Sequence, residues 1–132
     1  MLSKKTGFTL VEILVTIMIL SVLAGLAVPN YFRTMEQARS NEARTNLQII
    51  RMGQKVYALN HGGAYWNGGT AAHPGLDINT INSNLNTDIT KQYFDITSIT
   101  TAPAQAVAMR NLVSGGNNTT TYTIDYATGT IT

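Results

Sequence analysis

Residues 8–28 read FTLVEILVTIMILSVLAGLAV, an apolar run whose only ionisable side chain is Glu12. As a helix rising about 1.5 Å per residue, this stretch is long enough to cross a hydrocarbon core about 30 Å thick. A helix apolar on every face offers water no polar side, so it has to be enclosed by lipid or by other helices. Glu12 is the exception within it. An ionised carboxylate at the middle of a membrane helix costs on the order of 3 kcal/mol by insertion scales. Its presence therefore needs a reason.

Three readings of the run compete. A plain membrane anchor would keep Lys4 and Lys5 in the cytoplasm. A secretory signal peptide would be cut near the small residues of Gly25-Leu26-Ala27. The third is an anchor whose short basic leader is removed after Gly7. The first two give Glu12 no partner. Cutting Gly7-Phe8 creates an α-amino group four residues before Glu12, and a carboxylate and an ammonium can neutralise each other within a chain or between packed chains.

The stretch KKTG-FTLVE closely resembles the cleavage and methylation motif of type IV prepilins and the related pseudopilins. Basic leader residues, Gly7 before the cut, Phe8 after it, Thr9-Leu10-Val11 and then Glu12 all match, and the resemblance covers roughly residues 1–35. It implies cleavage between Gly7 and Phe8, N-methylation of Phe8 by a prepilin peptidase/methyltransferase, and a role for Glu12 in subunit assembly. It also implies partners: copies of the same chain in a homopolymer, minor pilins, an inner-membrane assembly platform, and membrane lipid before assembly. Losing residues 1–7 removes both leader lysines, so the basic side chains fall from nine to seven and balance the seven acidic ones. A neutral subunit packs into a polymer with little self-repulsion.

Pro29 lacks a backbone donor and Gly25 weakens a helix, so a kink is expected around residues 25–29. In assembled pili of the family the stretch before the proline loses helical structure, which here corresponds to about Ser21 to Pro29. This chain has Ser21 where the family's pilins carry an additional glycine. A static kink and local melting both remain open.

From Tyr31 to about Leu59 the pattern is helical again. Glu36, Arg39 and Glu42 are spaced three apart as a weakly supporting exposed set. Two apolar stripes run along this stem: Ala43, Leu47, Ile50 and Tyr57 on one side, and Ala38, Ile49, Met52, Val56 and Leu59 nearly opposite. A helix docked on one sheet needs one stripe. The second points to neighbouring subunits, or alternatively to fuller wrapping by the chain's own loops.

His61-Gly62-Gly63 suits a left-handed helix cap. The segment up to Gln92 reads as a mostly irregular connection, with a short helix between Asp77 and Ile89. Strands are expected at 93–99, 104–113 and 119–126, with a turn at Gly115-Gly116-Asn117-Asn118 and further pairing by Thr130 to Thr132. The fold class is α+β, a long N-terminal helix packed on a small antiparallel sheet. The expected divisions are a leader (1–7), a membrane and assembly helix (8–30) and a periplasmic or extracellular head (31–132).

Chemistry in the head is sparse. There is no cysteine, hence no disulfide or thiolate metal site. His61, His73 and Asp77 are irregularly spaced and read as loop residues rather than ligands. Asp125 lacks the clustered carboxylates of a Ca²⁺ site. No nucleophile–base set or phosphate-binding loop appears, so neither catalysis nor a cofactor is expected. The net charge of +2 resides in Lys4 and Lys5 and gives no support for nucleic-acid binding. Asn117 and Asn118 fit N-x-Thr glycosylation patterns. Tyr31, Phe32, Tyr57, Tyr65 and Trp66 are explained more simply by packing than by electron conduction.

The resemblance thus implies a non-enzymatic structural subunit, an inner-membrane precursor that polymerises into an extracellular pilus-like filament. A major pseudopilin of a type II secretion system, forming a short periplasmic filament, is the alternative. The sequence AVPNY at Pro29 and the lack of a carboxylate-rich C-terminal cluster favour a pilin. A membrane-anchored binding module that never polymerises is a third reading.

Overall fold

The computed structural model describes residues 7–71, 75–90, 92–110 and 120–132. The chain is α+β. One helix, α1 (Leu10–Asn60), is followed by β1 (Gly69–Thr70), α2 (Ile78–Leu85), β2 (Phe94–Thr101), β3 (Ala104–Arg110) and β4 (Thr121–Asp125). The strands form one antiparallel sheet in the order β1-β2-β3-β4. The chain separates into two compact units, one ending at Gln37 and the other comprising Ala38–Thr132.

In the second unit, the stem stripe Ala43, Leu47 and Ile50 is fully buried, together with Ile81 and Leu85 of α2, Ile89, and residues of the sheet. The sheet contributes Phe94, Ile96 and Ile99 from β2, Ala106 and Ala108 from β3, and Ile124 from β4. Strand β3 alternates as a one-sided strand should. Strand β2 does not. Its register with β3 slips between Ile96 and Ser98, so Thr97 is an extra residue in the ladder. The bulge changes the phase of the pleat and turns Ile99 inward after Phe94 and Ile96, where strict alternation would have turned Ser98.

Helix α1 terminates as its glycines suggest. The Gly63 N–H donates to the Ala58 carbonyl at 2.8 Å, with Gly62 and Gly63 both at positive φ. Asp77 caps α2 by accepting from the Thr80 N–H at 2.9 Å and the Thr80 hydroxyl at 2.7 Å. Thr130 to Thr132 do pair, as Thr132 and Thr123 exchange two backbone hydrogen bonds.

Two expectations need correction. The connection between α1 and α2 contains a strand, β1, whose Gly69 and Thr70 pair with Ile99 and Ser98 on the sheet edge. The Glu42 carboxylate does more than stand in an exposed charge series. It accepts from the backbone N–H of Gln92 at 2.7 Å and of Tyr93 at 3.1 Å, while the Arg39 guanidinium lies 5.0 Å from the centre of the Tyr93 ring. Strand β3 ends at Arg110, and the expected continuation over 111–113, the turn at 115–118, Asn117, Asn118 and His73 lie outside the described residues, as do Lys4 and Lys5.

Polar side chains fasten the loops to the stem. Gln54, fully buried, accepts from the Trp66 N–H and donates to the Trp66 carbonyl, both at 2.8 Å. Asn46 donates to the Thr90 carbonyl at 2.6 Å. Arg51 donates to the carbonyls of Tyr126 at 3.0 Å and Ala127 at 3.2 Å. The part-buried bonds among them give partners to backbone groups that packing withdraws from water.

Candidate functional site: the N-terminal half of the helix

Gly7, Phe8 and Thr9 precede the helix and are exposed, Phe8 to 80%. A Cβ built on Gly7 would meet nothing within 4 Å. The Gly7-Phe8 peptide is therefore non-helical and open, the condition a peptidase needs to draw backbone into an active site.

Thr9 starts the helix. Its hydroxyl accepts from the Glu12 N–H at 3.2 Å and its carbonyl from the Ile13 N–H at 3.3 Å. Thr9 is thus the N-cap and Glu12 the third helical residue, the Thr-x-x-Glu spacing of a capping box. That spacing was available in the sequence and supplies a local reason for an acid here: the first turn of a helix carries partial positive charge. No hydrogen bond or ion pair to the Glu12 carboxylate occurs among the described residues.

Other polar side chains in and just beyond the run turn back onto their own backbone. Thr16 donates to the Glu12 carbonyl at 2.7 Å, Ser21 to Met18 at 2.7 Å and Asn30 to Leu26 at 3.4 Å. In lipid, where water cannot serve hydroxyls, this is the arrangement that satisfies them. The apolar side chains have the opposite character. Leu10, Val11, Ile13, Leu14, Ile17 and Leu23 are among many in this run left 47–80% exposed. The helix is long and apolar enough to cross a membrane, with none of its most apolar window buried inside the chain.

Helix α1 continues through Gly25 and Pro29. A Cβ on Gly25 would meet nothing within 4 Å, so no internal packing requires a glycine there. What remains is its low helix propensity, beside a proline that withholds one hydrogen bond.

Farther along α1, the second stripe is largely uncovered. Met52 is 63%, Val56 53% and Leu59 85% exposed. Between this face and the end of α2 lies a cleft lined by Ile49, Met52, Gly53, Val56, Leu85, Asn86 and Thr87. Gly53 permits that approach, since a Cβ there would sit 2.8 Å from Thr87 Cγ2 and 2.9 Å from Leu85 Cβ.

The other candidates resolve into structural roles. His61 stacks on Tyr57 with 3.8 Å between ring centres, and its Nδ1 lies 2.8 Å from the Tyr57 carbonyl. Asp77 is the cap of α2. Asp125 accepts from the Thr128 N–H at 2.7 Å and the Thr128 hydroxyl at 3.0 Å, and these bonds hold its carboxyl below the ordinary value of 3.8. Burial pushes the Tyr126 phenol upward while its hydroxyl donates to the Gln105 carbonyl at 2.8 Å. Among the described residues, no group of three or more metal-ligating side chains occurs. Tyr65 packs edge-on against Tyr126 at 5.2 Å, whereas Tyr31 and Phe32 stand exposed.

Comparison with known proteins includes a match within this same region. Residues 2–28 match the family described as the prokaryotic N-terminal methylation motif. The type IV major pilin protein PilA of Myxococcus xanthus is 33% identical over 54 residues, 41% of this chain and 24% of that protein. The type II secretion system core protein G of Vibrio cholerae is 36% identical over 58 residues, 44% of this chain and 40% of that protein. The pilin-like protein PilA3 of Thermus thermophilus is 42% identical over 69 residues, 49% of this chain and 30% of that protein. The chain thus spans 24–40% of the length of these curated relatives. No solved structure matches it. The matched motif carries the Gly7-Phe8 junction and Glu12, and the relatives' names are those of pilins and a secretion-system core protein.

Proposed function

We propose that the chain is a structural, non-enzymatic subunit of a type IV pilus-like filament. It enters the inner membrane through residues 8–30, is trimmed between Gly7 and Phe8, is methylated on the new Phe8 amine, and polymerises through its apolar helix. The observation that carries this reading is the exposed apolar helix, which holds Glu12 in its first turn inside a matched methylation motif. The motif supports processing by a prepilin peptidase/methyltransferase. Minor pilins and an inner-membrane assembly platform are the further partners such a subunit requires. Residues 31–132 then form the head outside the membrane, and the uncovered Met52, Val56 and Leu59 meet a neighbouring subunit. Gly25 and Pro29 form the weak point of the helix, where it kinks or melts on assembly.

In this mechanism Glu12 pairs with the Phe8 amine of an adjacent subunit. Low dielectric strengthens the attraction and desolvation offsets much of it, so the pair selects register more than it adds net stability. A subunit docked one step wrong leaves unpaired buried charges, disfavoured by roughly 3–5 kcal/mol. Glu12→Leu should insert and be cleaved normally yet give sharply fewer filaments, with Glu12→Asp intermediate. Cleavage assays run beside filament counts test it: normal filament numbers from a correctly cleaved Glu12→Leu chain would refute the pairing. A native chain starting at Met1 or Val28 by mass spectrometry would sink the prepilin reading itself.

The likeness to a secretion-system core protein supports a second reading, a major pseudopilin confined to a short periplasmic filament. Electron microscopy of sheared cell-surface material separates the two. Long filaments containing this chain favour the pilus, none outside the cell favours the pseudopilus, and no polymer anywhere leaves only a membrane-anchored binding module.

A further inference from the structure

The apolar helix has a defined end. After Val28 the chain runs Pro29-Asn30-Tyr31-Phe32-Arg33. Tyr31 is 62% and Phe32 66% exposed, their rings edge to face at 6.1 Å. The order apolar, aromatic, cationic is the order of environments met on leaving a bilayer: acyl chains, the carbonyl and headgroup layer, then anionic phosphates and water. Aromatic rings prefer that middle layer, and an arginine beside them reaches its guanidinium toward phosphate.

The spacing agrees. Leu10 to Asn30 is twenty helical rises of about 1.5 Å, or about 30 Å, the thickness of a hydrocarbon core. Apolar exposure on all sides of this stretch also fits a fluid that surrounds the helix better than a partner docked on one face.

Building on the membrane-inserted precursor proposed above, we propose that Tyr31 and Phe32, with Arg33, form an interfacial belt binding the phospholipid headgroup layer. This belt fixes how deeply the helix sits before assembly. Glu12 is nineteen rises before Tyr31, about 28 Å along the axis. With the belt at one interface, Glu12 lies within a few ångström of the other rather than at the bilayer centre. The belt is thus a positioning device for Glu12, holding the carboxylate at a depth where headgroups and water relieve it until a subunit partner replaces them.

The test uses the full chain in phosphatidylcholine–phosphatidylglycerol vesicles. Trp66→Phe removes the native tryptophan, and Phe32→Trp or Ile19→Trp supplies a reporter. Lipids brominated near the carbonyls or near the chain ends quench according to depth. The reporter at position 32 should be quenched about two-fold more by the shallow bromines, and that at 19 more by the deep ones. Replacing Tyr31 by Ala in the Phe32→Trp chain, and both aromatics by Ala in the Ile19→Trp chain, should shift or broaden each depth profile. A reporter at 32 that neither lipid quenches, or that deep bromines quench best, would overturn the belt. So would unchanged profiles in the alanine variants. Loss of quenching at position 19 would instead overturn membrane insertion, separating failure of the belt from failure of the precursor reading.

Discussion

The two halves of α1 use similar residues for opposite ends. In the first, Leu10 through Val28, large apolar side chains are left about half or more exposed. In the second, Ala43, Leu47 and Ile50 are wholly buried against α2 and the sheet, while Met52, Val56 and Leu59 on the opposite face are open. Burial of apolar surface drives folding at about 25 cal/mol per Å². The back half collects this gain within the chain. The front half leaves the same potential unused within the chain, available to the lipid and the neighbouring subunits proposed above. An apolar residue in this sequence therefore does not announce a core position. Its meaning depends on whether the chain carries something to place against it.

The sharpest way to break this contrast is to remove the front half. Residues 31–132 should form a soluble, monomeric α+β domain, seen as a single low-mass species in sedimentation with mixed circular dichroism. Aggregation under mild conditions would show that the back half depends on the front. Within that domain, Ile50→Ala should cost about 2–5 kcal/mol in chemical denaturation, because it opens a cavity in a packed core. Val56→Ala, one and two-thirds turns along the same helix, should change monomer stability by no more than about 0.5 kcal/mol. In the full chain it should reduce filament yield. Equal losses of monomer stability from the two would erase the distinction between the faces. The smallest effect belongs to Asp125→Asn. Because Thr128 lowers the Asp125 pKa in the fold, the stabilisation is complete above 3.8 and disappears as pH falls through the lower folded value. Wild type and variant should therefore differ at neutral pH and converge in strong acid, followed by thermal melts across pH.

Where pattern governs, the sequence was readable. The long apolar helix, the buried stem stripe, the glycine cap after Asn60 and α2 all follow from periodicity or from residues with one strong preference. Strand β1 was not readable, because Gly69-Thr70 is too short to show alternation and pairs only because β2 offers an edge. Thr97 was equally opaque: the bulge depends on the register of two strands, and neither contains it alone. Glu42, Asn46 and Gln54 look like solvent-facing residues of an amphipathic helix. They serve distant backbone groups instead, and which loop returns to them is a tertiary fact. In the candidate site, Gly7, Phe8 and Glu12 are conspicuous in the sequence, whereas the capping role of Thr9 is carried only by its three-residue spacing to Glu12.

The fastening of the C-terminal turn bears on the conditions under which the sheet-bearing unit can fold. Arg51 grips the carbonyls of Tyr126 and Ala127, and a Cβ on Gly129 would come within 2.7 Å of the guanidinium carbon. The turn is secured by reversible bonds to a permanently charged side chain, in a chain without cysteine. No oxidising enzyme has to act, and no wrong thiol pairing has to be undone, before the head is complete. Its folding should run equally well under reducing and oxidising conditions, leaving the head indifferent to the redox state of its surroundings.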